Sequence, residues 1–194
     1  MKQLTILCLA FVSLVGCATV PQSETARQSL VIESQGTLKE FKSTDASVDA
    51  FLAKAHGYAV FPSIGKGGMG IGGAYGHGAV YEQGKFVGYC DVTQASIGFQ
   101  LGGQAFSEMI VFQNKESFDR FKSGNLAFAA TASAVAVQAG AAAAAKYENG
   151  VAVFTQTVGG LMYEASVGGQ KFSFGTHEST PTPTKESVET AKTE

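Results

Sequence analysis

Apolar residues recur along this chain with two different periods, and the change from one to the other predicts the order of its elements. Val48, Phe51, Leu52 and Ala55 fall on one helical face, behind a cap at Thr44 or Asp45 and before Gly57. Upstream, Glu24 to Lys42 predicts a first helix with a broken stripe of Leu30, Ile32, Leu38 and Phe41, interrupted by Gly36. Tyr58 to Phe61 then predicts a short buried strand stopped by Pro62. Gly72 to Glu82 and Lys85 to Val92 flank Gln83-Gly84, a tight hairpin turn. Ile97, Phe99 and Leu101 alternate with Ser96, Gly98 and Gln100, the period of a one-sided antiparallel strand. Met109 to Phe112 is apolar without a break, as in a strand covered on both faces. Lys115 to Lys122 predicts a short helix capped by Asn114, with Phe118 and Phe121 on its inner side, covering the sheet.

The second half is less regular. Alanine favours helix, yet Thr131, Ser133, Val135 and Val137 alternate with alanines, so Ala130 to Gln138 reads as strand and Ala141 to Ala145 stays open. Asn149-Gly150 is a turn, followed by strands over Val151 to Thr157 and Leu161 to Val167, with Gly168-Gly169 turning into Lys171 to Phe174. The string from Gly102 to Ser107 echoes that from Gly168 to Ser173, as two similar hairpins would. From Thr176 onward the chain is polar and Pro-containing and cannot offset its own ordering entropy, so 176–194 reads as a disordered tail. The fold class expected is α+β: a mainly antiparallel sheet, as a sandwich or barrel-like roll, with N-terminal helices and one short covering helix. The 24 glycines, dense between Gly57 and Gly103, suit turns, bulges and close backbone approach rather than long helices.

Leu4 to Val15 is apolar but too short for a bilayer span, which needs about 20 residues. Lys2 precedes it, and Leu14-Val15-Gly16-Cys17 closes it; together they resemble a bacterial lipoprotein signal with its lipobox. The resemblance implies removal of 1–16, lipidation of Cys17 and a spacer with a possible helix over 17–43. Because one acyl chain binds only marginally, the three chains of such lipoproteins make the tether lasting. Ala18 after the cysteine resembles the pattern of outer-membrane sorting, so the expected site is the bacterial envelope, at the outer membrane and facing the periplasm.

Charge and composition then narrow the function. Losing the signal removes Lys2 from 14 basic residues and none of the 16 acidic ones, a balance that gives no support for nucleic-acid binding. Cys8 leaves with the signal and Cys17 is capped, which leaves Cys90 as a structural thiol in a half-buried strand and no intramolecular disulfide. Gly68 to Gly73 has the letters of a dinucleotide fingerprint, but Ala74 to Gly78 continues as strand or turn where that motif needs a helix N-terminus. Gly65-Lys66-Gly67 likewise lacks the upstream glycine of a phosphate loop, although Lys66 in an amide-rich loop could meet a phosphate head group. His56, His77 and His177 show no metal-ligand spacing, and no serine sits in a nucleophile elbow. No catalytic residue, metal site or cofactor is expected.

Tyr58 to Pro62, Gly65 to Gly68, Gly72 to Gly76 and Thr93 to Gly102 occur in an order that resembles the SYLF domain family, over about Ala46 to Phe174. The resemblance implies a non-enzymatic domain over 44–175 with much antiparallel sheet. It further implies binding of phospholipid or membrane surfaces, as in the eukaryotic lipid-binding branch. Lys39, Lys42, Lys54 and Lys66 are the residues in or beside the matching region that would meet anionic head groups. Actin binding, the property of a yeast branch, does not carry over readily, because an envelope protein does not meet actin unless it is released or exposed to a host. The alternative is a structural lipoprotein whose domain binds an envelope protein or peptidoglycan and ignores lipid.

Overall fold

The computed structural model describes residues 23–124, 126, 134–160 and 169–176. The lipobox, Cys17, the 161–167 strand and residues 177–194 of the tail therefore lie outside the described residues, while Thr176, expected to begin the tail, ends a strand. Helix α1 (Glu24–Thr44) begins at Ser23, whose Oγ accepts the Ala26 N–H at 3.1 Å. Its buried face is Arg27, Leu30, Ser34, Thr37 and Phe41, a regular three-four spacing of which only two members are large and apolar. That is why the stripe looks broken in the sequence. Ile32, counted there as apolar stripe, is 68% exposed, and Gly36 points into open space without interrupting the helix. Helix α2 (Ser47–Leu52) follows, with Val48 buried.

Two very long strands then form the frame. β1 (Gly57–Glu82) and β2 (Lys85–Phe112) are antiparallel from Gly57↔Phe112 to Glu82↔Lys85. They join at Gln83 and Gly84, whose φ of 49° and 78° give the doubly left-handed hairpin turn. The strand expected to stop at Pro62 instead runs through it. Pro62 sits at a register shift between Phe61 and Ile64, where a bulge accommodates its missing N–H. The glycine-rich stretch after it is strand, not loop. The free edge of β2 is shared: β5 (Gln170–Thr176) pairs with Gly88 to Gln94, and β4 (Val151–Gly160) pairs with Gln104 to Phe112. β3 (Ala134–Ala136) adds to β4 in parallel, the only parallel pairing among the described residues. Residues 130–133 of the strand expected there are outside the description. Ala141–Ala144, left open by the sequence, is the short helix α4.

The hairpin rolls over on itself without closing into a barrel. At Gly78 a Cβ would stand 2.8 Å from Val60 O and Phe61 Cδ1, so only glycine lets the two halves of β1 approach this closely. The inner face holds one core, including Phe61, Ile64, Val92, Phe106, Ile110, Phe112 and Phe172. Helix α3 (Lys115–Lys122) contributes Phe118 and Phe121 to it, and Asn114 caps that helix by accepting the Ser117 N–H at 3.0 Å. The outer face carries a second core of Val60, Met109, Val111 and Phe154 beneath Phe41 of α1 and Val48 of α2. Met109 to Phe112 thus alternates between two cores, which accounts for its unbroken apolar run. Cys90 is fully rather than half buried. The echo between Gly102 and Gly168 does not mark two hairpins, because Gly102 and Gly103 lie mid-strand opposite Gly68 and Gly67.

Candidate functional site

One hollow combines apolar lining with unopposed charge. It is a groove of about 550 Å³ between α2 and α4, lined by Ala50, Phe51 and Lys54 on one side and Ala143, Lys146 and Tyr147 on the other, among others. The size is that of a small-molecule site. Phe51 packs against Tyr147 with ring centroids 4.7 Å apart, and edge-on against Phe154 of the outer core at 5.2 Å. The groove floor is therefore continuous with the packed interior. Its two walls are tied by Asp45, 2% exposed, which accepts the Ser47 N–H at 2.9 Å and the Ala142 N–H at 2.7 Å. The Ser47 hydroxyl also donates to it, at 2.6 Å. That donation and the backbone N–H groups hold the Asp45 carboxyl down at about 2.

No described residue lining the groove is acidic, and Lys54 and Lys146 are both exposed. Among the described residues neither lysine lies within 4.0 Å of a carboxylate, whereas Lys42, Lys115 and Lys122 do. Tyr147 is also in the lining, but its hydroxyl is buried beneath the surface and has no hydrogen-bond partner among the described residues. An apolar floor beside two exposed cations suits an anionic group carrying an apolar body.

The four lysines singled out in the sequence are not brought together. Lys39 is exposed on α1. Lys42 is bound to Asp49 at 2.7 Å and lines a different hollow with Leu52 and Tyr58. Lys54 alone of the four reaches the groove. Lys66 belongs to β1, opposite Gln104, and is 5% exposed; it is neither in a loop nor free to meet a head group. Lys146 was missed, and the signal for it was its position at the end of the alanine run whose structure stayed open.

Other polar constellations are built into the frame. His77 Nδ1 lies 2.6 Å from Asp91 Oδ1 and His77 Nε2 3.3 Å from the Tyr75 hydroxyl, a nucleophile-like order that adjoins none of the hollows described. His56 and Glu82, 2.9 Å apart, fasten the hairpin end. Glu108 is wholly buried on β2, where Gln170 of β5 donates to its Oε2 at 3.0 Å. Burial pushes that carboxyl up to about 7 against the pull of the Gln170 bond. Burial also pushes the Cys90 thiol well up, which suits a structural role. Among the described residues no three His, Cys, Asp or Glu side chains converge as a metal site, and no helix is long and apolar enough to cross a membrane.

The fold is thus a rolled antiparallel hairpin with a covering helix, and a groove lies between α2 and α4. Residues 93–180 match the family described as Las17-binding protein actin regulator, Ysc84. The match opens at Thr93, where the sequence string Thr93 to Gly102 begins. The chain is also similar to Beta cell expansion factor A of Aeromonas veronii, 30% identical over 128 residues, 65% of this chain. It spans about half, 48%, of that protein's length.

Proposed function

We propose that this protein is a non-enzymatic lipoprotein of the bacterial envelope, held at the outer membrane by acyl chains on Cys17, whose SYLF-type domain binds anionic phospholipid surfaces. The observation that carries the reading is the acid-free groove with Lys54 and Lys146 exposed along it. Each lysine near an anionic surface contributes about 1 kcal/mol, so the domain alone would bind weakly. A tether raises the local concentration and makes such weak contacts effective.

The test is flotation of the mature chain, residues 17–194 with Cys17→Ser, with neutral and with anionic vesicles at low and raised salt. Binding that requires anionic lipid and weakens with salt supports the reading. No binding to any vesicle overturns it and transfers the role to an envelope protein or cell-wall partner.

A further inference from the structure

The groove offers more than charge, and its lining narrows what it holds. A head-group contact alone would need only surface lysines. Here the cations stand beside a cleft whose walls are the alanines of α2 and α4 and whose floor is the Phe51–Tyr147 pair. Those alanine side chains add no polar atoms, and Ala50 and Ala143 are exposed to whatever enters. The two lysines line the same groove, and lysine suits phosphate as a compact point charge. Asp45 does not spoil this field, because it lies outside the lining and its carboxylate is engaged by Ser47 and Ala142.

Resting on the membrane-binding reading but going beyond it, we infer that the α2/α4 groove is a lipid-chain site, taking a single acyl chain with a phosphate head from a monoacyl lipid. The chain lies on Phe51 and between the alanines, and the phosphate is held by Lys54 and Lys146. A volume of about 550 Å³ suits one chain rather than a whole diacyl lipid.

The test is calorimetric titration of the same Cys17→Ser chain with dodecyl phosphate below its micelle concentration, with inorganic phosphate as the head-group control. The expected result is one-to-one binding of dodecyl phosphate, and binding of inorganic phosphate at least tenfold weaker. Ala143→Phe fills the cleft from one wall and Ala50→Phe from the other, and both start from exposed positions, so the fold should tolerate them. Each is expected to weaken dodecyl phosphate at least tenfold, as is the Lys54→Gln, Lys146→Gln pair. Unchanged affinity in both filling variants overturns the inference. So does a failure to bind dodecyl phosphate by a chain that still floats with anionic vesicles, which leaves the membrane reading standing. Failure to bind either one sinks both.

Discussion

The Asp45 carboxylate accepts the Ala142 N–H at 2.7 Å across 97 positions of sequence, joining the α1–α2 junction to α4. Ala142 is 1% exposed, so without Asp45 its N–H would be buried and unpaired. Asp45→Ala is therefore expected to lower the thermal midpoint and to weaken groove binding together, since one side chain holds both walls. The carboxyl is held at about 2, below its usual value of 3.8. Its contribution is present above the usual value and is lost as pH falls from there toward 2. Asp45→Asn should flatten that acid limb. Denaturant melts between pH 2 and pH 5 check the point, and an unchanged acid limb would refute the assignment.

Glu108 works in the opposite direction. Its carboxyl is raised from 4.5 to about 7 by burial, so the folded chain holds the proton more tightly than the unfolded one. Stability is greatest below about 4.5, declines as pH rises to about 7 and then levels off. The size of that loss is on the order of 3 kcal/mol. Glu108→Gln is expected to abolish most of the decline while keeping a hydrogen-bonding group beside Gln170. Urea unfolding at pH 5, 6.5 and 8 measures it, and equal slopes in the two proteins would show that another group carries the effect.

Much of the frame is legible in the sequence because it depends on local rules. Asn114, Phe118 and Phe121 define α3 by cap and spacing, and Gln83-Gly84 and Asn149-Gly150 define turns that need left-handed φ. The continuity of β1 through Pro62 was not legible, since a bulge is set by what the partner strand does, not by the proline alone. The groove was hidden for a related reason. Phe51 and Tyr147 are far apart in sequence, and Lys54 and Lys146 line one groove only in the fold, where Asp45 ties α4 to α2. Lys66 misled because a Gly-Lys-Gly string reads as loop, whereas here the glycines serve a rolled strand.

That burial yields a direct prediction about the lysines. Lys66→Met should leave anionic-vesicle binding within about twofold of wild type, since a 5% exposed residue adds little to the surface field. The Lys54→Gln, Lys146→Gln pair should reduce it about thirtyfold, from roughly 1 kcal/mol per cation near a charged surface. Flotation at one low salt concentration compares all three proteins. A loss with Lys66→Met as large as that of the pair would move the binding face to β1.

Gly78 tests the roll itself. An added methyl would meet both Val60 O and Phe61 Cδ1 at 2.8 Å, and one of these is backbone that cannot rotate away. Gly78→Ala should cost about 1–3 kcal/mol, as overpacking of a filled interior does. Gly84→Ala provides a contrast, because nothing lies within 4 Å of its Cβ and its penalty comes only from a φ of 78°. The two substitutions should also differ in what they do to the amides of β1. Gly78→Ala should speed exchange along both halves, Val60 to Ile64 and Gly76 to Val80, because it wedges apart the surfaces that bury them. Gly84→Ala should speed it mainly at the hairpin end, near Glu82 and Lys85. Hydrogen exchange resolved by residue separates these patterns, and a Gly78→Ala protein with wild-type protection at Val60 and Phe61 would mean that the two halves of β1 do not pack against each other in solution.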